Sequence, residues 1–375
     1  MKTLCPLLLA GAIALAQPSP PFRARVRPAA PAGGSMPAGK PVTIPAPLGL
    51  PPVPFPADNP PTAETIALGH RLFFDKLLSR DGTVACASCH LPKAAMADPR
   101  PVSLGVNGGV GGRNAPSILN AAYHDTQFWD GRARSLEEQA AMPVPDGVEM
   151  AHSLTGVERR LAANPAYVKL FAKAFGPGRI TFEMAAKAIA SYERTLLSGN
   201  SPFDRYQFGG DKKALSEAAI RGLALFSDAT LDGPNCISCH RIEDKFATFT
   251  ESRFHNSGVA WDEEKRAYKD KGRIAVTGTP KDAGAFKAVT LRNITLTAPY
   301  MHDGSMQTLE EVLDFYFEGG RRNPLLSGVM PHHGVPNIPK AEQAQAKADL
   351  VEFLKALTGD MPAGAAPPGP VEAKR

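Results

Sequence analysis

The sequence predicts a mainly α-helical protein of two related halves, and three observations carry that prediction. Apolar residues recur at steps of three and four in several stretches, the spacing of a helix with one buried face. A short pattern, C-x-x-C-H, occurs at Cys86-Ala87-Ser88-Cys89-His90 and again at Cys236-Ile237-Ser238-Cys239-His240. The stretch before each occurrence repeats as well, LGHRLFFD at residues 68–75 and RGLALFSD at residues 221–228.

The chain has 375 residues, enough for one large domain or two ordinary ones. Its 43% apolar and 21% charged residues exclude collagen-like, coiled-coil and fully disordered chains. Lys and Arg number 42 against 37 acids, a net +5 too mild to indicate nucleic-acid binding. Five cysteines in this length exclude a disulfide-dense miniprotein.

In chain order, residues 1–16 read as an export signal, with Lys2 ahead of an apolar run and Ala14-Leu15-Ala16 as the small-x-small cleavage site. Cleavage after Ala16 places the mature protein in the periplasm and leaves four cysteines, all in the repeated motif. The run is too short for a stable membrane span, and no longer one follows. Residues 17–61, rich in Pro, Ala and Gly, read as a tether or a strap along the folded body. A first domain is expected over 62–200, a second over 201–360, and a fraying tail over 361–375. Phe182, Ala185, Ile189, Tyr192 and Leu196 form one helical stripe. Thr308 and Glu311 form a capping box opening a helix with Leu309, Val312, Leu313 and Tyr316. Leu350, Val351, Leu354 and Leu357 form another stripe, with Gly359 as its C-cap. Residues 97–116 and 255–285, rich in Gly and Pro, are expected to be long loops.

C-x-x-C-H is the attachment pattern of a c-type haem. Two thiols about one turn apart reach the two porphyrin vinyl groups, and the adjacent imidazole swings onto the iron. A zinc ribbon needs its second C-x-x-C about 15–20 residues on, whereas here the second pair begins 150 residues later. A thioredoxin-type dithiol needs a strand–turn–helix setting, and neither flank looks like one. Either rival also leaves His90 and His240 as coincidences. Two covalent haem c groups are therefore expected, through Cys86, Cys89 and His90 and through Cys236, Cys239 and His240.

With these motifs stand LFFDKLLSRDGTVACASCH, RNAPSILNAAY, QFWDGRARSLEEQA, Val148-Glu149-Met150, SPFDRY and LRNITLTAPYMHDGS. From residue 68 to 359 the chain resembles the bacterial di-haem cytochrome c peroxidases and their relatives MauG and MbnH. The resemblance implies two cytochrome-c-like helical domains with a Ca2+ ion at their junction, and a hydrogen-peroxide-dependent enzyme. His90 matches the proximal ligand of the peroxide-site haem, and His240 that of the relay haem. Glu149 matches the distal acid that assists O–O cleavage, with Gln139 and Pro143 lining its pocket. A carboxyl suits that work because it takes a proton from bound peroxide and returns it to the leaving oxygen. Trp129 matches the tryptophan between the haems. Asn114 and the carbonyls of Thr297 and Pro299 match the calcium ligands, hard oxygens of the kind Ca2+ prefers.

Two departures from ordinary peroxidases point to the MauG/MbnH type. The loop that carries a distal His there reads Ser103-Leu104-Gly105-Val106-Asn107-Gly108, so Val106 occupies the ligand position and cannot bind iron. His124 and His70 stand nearby in sequence without family support. At the relay haem the family's axial Met is replaced by Tyr316, fourteen residues after His302, with Met306 and Met330 as rivals poorly placed in sequence. A phenolate is hard and anionic, so it lowers the potential and favours high oxidation states. Together these imply an enzyme forming a bis-Fe(IV) state and oxidising tryptophan on a partner protein. The alternative is a peroxidase reducing H2O2 to water with electrons from a small cytochrome c or cupredoxin. The surface Trp two residues before the second motif in MauG is Pro234 here, and Trp261 is the one other tryptophan. No nucleic-acid partner is expected, and the protein is read as a monomer or homodimer.

Overall fold

The structure is a computed structural model and describes residues 35–229, 234–330 and 338–369. The expected leader 1–16, residues 17–34 of the Pro-rich segment and residues 370–375 of the tail lie outside the described residues. The first half carries α1 (Ala63–Phe74), α2 (Leu136–Ala141), α3 (Leu154–Ala162), α4 (Pro165–Phe175) and α5 (Phe182–Glu193). The second carries α6 (Pro202–Gln207), α7 (Glu217–Ser227), α8 (Ile274–Thr277), α9 (Leu309–Phe317) and α10 (Lys340–Lys355). The fold is mainly helical, as the periodicity predicts. Among the described residues four two-residue strands pair antiparallel, β1 (Phe254–His255) with β4 (Phe286–Lys287) and β2 (Trp261–Asp262) with β3 (Ala267–Tyr268).

The two repeated flanks become equivalent helices. In α1 the Thr62 hydroxyl accepts from the Thr65 N–H at 3.1 Å, and in α7 the Ser216 hydroxyl accepts from the Ala219 N–H at 3.1 Å. Helix α1 packs on α5, and α7 packs on α10. Each crossing is so close that the repeated glycine is required. A Cβ at Gly69 would lie 1.8 Å from the Ala188 carbonyl oxygen, and one at Gly222 would lie 2.0 Å from that of Asp349. One apolar core gathers Leu68, Leu72 and Phe73 of α1 with Ala185, Ile189 and Tyr192 of α5. A second gathers Phe226 of α7 and Phe353 of α10 with Phe203 and Phe249, in edge-on and tilted ring contacts at 4.9–6.3 Å.

Several local expectations are corrected. Helix α5 ends at Glu193, so Leu196 is buried beyond the helix rather than on its stripe. Helix α10 is capped at Ala356, not Gly359. Gly359 instead donates its N–H to Asn293 Oδ1 at 2.9 Å, and its missing side chain lets the Gly199 carbonyl approach. The box at Thr308 is half formed: its hydroxyl accepts from Glu311 N–H at 3.1 Å, but the Glu311 carboxylate accepts from Gln307 N–H at 2.6 Å. The loop 255–285 is punctuated by β2, β3 and α8. The expected tail 361–375 is docked as far as it is described, with Ala365 buried in the first core and the Gly364 carbonyl accepting from Tyr192 Oη–H at 2.7 Å.

Residues 35–61 touch both halves. The Gly49 carbonyl accepts from Arg292 Nη2 at 2.7 Å and from Ala247 N–H at 3.0 Å. The Pro51 carbonyl accepts from Tyr123 Oη–H at 2.8 Å, and that of Pro54 from Arg194 Nε at 3.2 Å. Pro has no N–H to satisfy, so such a strap presents acceptors and needs few partners.

Candidate functional site

The two C-x-x-C-H motifs fold alike. Cys86–Ser88 and Cys236–Ser238 are each a 3₁₀ turn, which brings the two thiols of a pair to one side. The His90 N–H donates to the Cys86 carbonyl at 3.0 Å, and the His240 N–H to that of Cys236 at 2.9 Å. Each imidazole then pairs through Nδ1 with a backbone carbonyl, His90 with Met96 at 3.2 Å and His240 with Phe249 at 2.9 Å. Both carbonyls belong to residues held left-handed, at φ +59° and +51°. That conformation disfavours large side chains, and it recurs at the one place where it orients a histidine. An Nδ1–H···O=C bond fixes the tautomer and leaves Nε2 as the ligating atom. Burial favours the neutral imidazole of His90, the form that binds iron. Burial also pushes the Cys86 and Cys89 thiols up and that of Cys236 to about 12, so these sulfurs suit an uncharged thioether.

A single cavity of about 710 Å3 is lined by residues of both motifs, including Cys89, His90, Cys236, Cys239 and His240. Its wall also carries Gln139, Pro143, Glu149, Trp129, Tyr316, Asn114, Thr297 and Pro299. The structure thus brings every sequence-predicted site residue to this cavity except Cys86, which packs against the first apolar core. Phe226, Leu313, Leu350 and Leu354 supply apolar wall, as a porphyrin face requires.

Near the first motif Glu149 is half-buried. Burial, aided by repulsion from Asp146, holds its carboxyl above the usual carboxylate range, with Arg132 working against both. The loop 103–108 lies against the Glu149 backbone: Val106 N–H donates to the Glu149 carbonyl at 2.9 Å. Val106 itself is 3% exposed and joins the first core, so at this position the loop sends an apolar side chain inward. His70 is no substitute, because its Nε2 meets the Ala366 carbonyl at 2.7 Å and its ring stacks on Tyr192. His124 does line the cavity.

Trp129 stands at the seam of the halves. Its Nε1–H donates to the Asn114 carbonyl at 2.9 Å, and its own carbonyl accepts from Lys287 N–H at 2.8 Å. His302 meets it edge-on at 6.5 Å and stacks on Phe286 at 3.6 Å. Asn114 is 4% exposed and donates through Nδ2 to the carbonyls of Arg100 (2.9 Å) and Asp98 (3.3 Å), which turns Oδ1 the opposite way.

Near the second motif α9 presents Tyr316, whose phenol burial pushes up to about 12, with the Cys239 and Cys236 sulfurs adding to the rise. Met330 lines the same cavity and Met306 does not. Trp261 is 8% exposed in β2, meets Tyr268 edge-on at 5.0 Å and donates Nε1–H to Glu263 at 2.6 Å.

Sequence reasoning missed Lys287 and Glu193, both buried and both on the cavity wall. Neither sits in a motif or charge pattern; Lys287 is a single cation in an apolar stretch, and its enclosure is the only signal.

Paired attachment turns, anchored imidazoles and one shared cavity define a protein that carries two c-type haems. A family model described as di-haem cytochrome c peroxidase matches residues 63–213. The chain is 38% identical over 336 residues to a cytochrome-c peroxidase, IdrP1, of Pseudomonas sp. (strain SCT), covering 84% of this chain and 86% of that one. It is 39% identical over 311 residues to the methylamine utilization protein MauG of Methylorubrum extorquens, covering 82% of each. A solved structure of a MauG-like protein associated with microbial copper homeostasis matches with a TM-score of 0.73 at 38% identity, covering 86% of this chain and 96% of that one. The chain belongs to the di-haem cytochrome c peroxidase/MauG family and is a peroxide-using di-haem oxidoreductase.

Proposed function

We propose that this protein is an oxidase of the MauG/MbnH type, which takes two oxidising equivalents from H2O2 and withdraws electrons from tryptophan on a partner protein. The observation that carries the reading is Tyr316, a half-buried residue on the cavity wall whose phenol has the two sulfurs of the second motif as electrostatic neighbours. The haems, when bound through Cys86, Cys89, Cys236 and Cys239, supply two redox centres. The chain's residues do the rest. His90 and His240 would each hold the iron of the haem attached to its own motif, and Tyr316 would hold the second iron together with His240. With Val106 turned into the core, the loop 103–108 would offer no side-chain ligand at this position to the first iron, leaving room for peroxide. There Glu149, flanked by Gln139 and Pro143, takes a proton from peroxide and returns it to the leaving oxygen. Its raised pKa suits both halves of that transfer. Trp129 couples the two centres across the seam. Asn114 Oδ1 and the Thr297 and Pro299 carbonyls would hold Ca2+, being the hard neutral oxygens that this ion takes together with water. The protein works in the periplasm after loss of residues 1–16, and no described helix is long and apolar enough to cross a membrane.

Tyr316→Phe tests the reading. It keeps the ring and removes the oxygen, so the resting absorption and paramagnetic resonance signals of one haem should change while both haems stay attached. Unchanged signals would remove Tyr316 from the iron.

Met330 on the same wall favours a second reading, a peroxidase that draws electrons from a small cytochrome c or cupredoxin. Fast steady-state turnover of H2O2 with such a reduced donor, together with a Met330→Leu variant that loses an axial signal, would favour it.

A further inference from the structure

Lys287, on β4, is 5% exposed, and it faces another base. Its Nζ donates to the Thr126 carbonyl at 2.6 Å and lies 3.5 Å from His124 Nδ1. The far nitrogen of that imidazole, Nε2, is buried and has no hydrogen-bond partner among the described residues. Both side chains line the cavity shared by the two haem motifs. The Lys287 backbone N–H donates to the Trp129 carbonyl, so the pair stands beside the tryptophan at the seam.

Two adjoining bases enclosed together are costly unless an anion joins them. Burial depresses both: Lys287 falls to about 7, and His124 falls well below its usual value, with the neighbouring ammonium adding to the fall. The nearest acids do not cancel this. Asp130 is held by Arg113 at 2.6 Å and by Arg132 at 3.2 Å, and Asp125 is exposed to solvent. Carboxylates arriving from the cavity, one to the ammonium and one to the orphaned Nε2 on the far edge of the ring, would satisfy both groups by charge-assisted hydrogen bonds. Each haem brings carboxylates of its own into this cavity, its propionates.

We infer that Lys287 and His124 form a clamp for the two propionates of one haem at the seam, that of the first or of the second motif, Lys287 taking one carboxylate and His124 Nε2 the other. The clamp ties one cofactor to the peptide that also carries Trp129. It raises that haem's midpoint potential, because a fixed cation beside the propionate offsets the charge gained or kept on the ring.

The test uses the haem-loaded protein with Lys287→Met, Lys287→Arg and His124→Gln. Resonance Raman reads the propionate bending bands, and spectroelectrochemistry reads each haem's midpoint potential. Lys287→Met should shift one bending band and lower one potential, Lys287→Arg should restore most of both, and His124→Gln should give a smaller shift of the same sign. Whichever haem responds identifies the source of the carboxylate. If Lys287→Met loads both haems and neither band nor potential moves, Lys287 is only a tie to the Thr126 carbonyl and the inference is wrong. Should Lys287→Met fail to fold or load, His124→Gln decides by the same bands, and no shift there overturns the clamp.

Discussion

Glu149→Gln is the substitution that isolates proton transfer from everything else in the site. Gln has nearly the same volume, so the half-buried position and the 2.9 Å bond from Val106 N–H to the residue 149 carbonyl are retained. What is lost is a group that can accept and return a proton. Such assistance is worth roughly 10²–10⁴ in rate, or about 3–5 kcal/mol at 1.36 kcal/mol per decade. Stopped-flow mixing with H2O2 should therefore show a second-order rate constant lower by that factor, with resting haem spectra unchanged. The pH profile carries a second signature. The carboxyl is raised from its ordinary value of 4.5, so it keeps its proton to a higher pH, and the base form is lost as pH falls through that raised value. Wild type should show an acid limb above the ordinary carboxylate range, and the Gln variant should not. A variant within threefold of wild type, or one that retains the acid limb, would refute the role of Glu149.

Three further outcomes follow from the same structure. Gly222→Ala should lower stability by about 1–3 kcal/mol, seen as a lower thermal midpoint, because its Cβ would lie 2.0 Å from the Asp349 carbonyl and α7 must move off α10. Glu193 is 4% exposed, with burial pushing its carboxyl to about 8 and Glu137 adding to the rise against Arg194. Its stabilising protonated form is fully present below the unfolded value near 4.5 and lost as pH rises through about 8, so melts of Glu193→Gln should fall less than wild type between pH 5 and 8. For the Ca2+ proposed at Asn114, Thr297 and Pro299, chelation should slow the peroxide reaction and perturb one haem spectrum, with recovery on adding Ca2+ but not Mg2+, because Mg2+ demands near-ideal octahedral geometry.

The helical class and the two attachment turns were legible because both are local. C-x-x-C-H at Cys86 and Cys236 fixes ligand types by spacing, and the repeated glycine flanks encode the crossings at Gly69 and Gly222. Glu149, Trp129 and Tyr316 entered through resemblance, and the fold places all three on one cavity wall. Helix ends were less legible. Gly359 looks like a cap in sequence, but its small size serves contact with Gly199, a neighbour 160 residues away. The docked tail was invisible for a similar reason: Ala365 is ordinary in composition, and only the groove beside Tyr192 makes it a core residue. Lys287 and His124 lie 163 residues apart, and nothing local in either stretch announces that the two bases share one enclosure.

The central claim is that two oxidising equivalents from peroxide are shared by both haems rather than held at one. Rapid freeze-quench Mössbauer spectroscopy of the 57Fe-loaded protein after mixing with one equivalent of H2O2 tests it directly. The account predicts that both iron sites change together, each losing one electron, and that Tyr316→His confines the change to a single iron. One altered iron in wild type, with the second keeping its resting signal, would contradict the account and leave the peroxidase reading in its place.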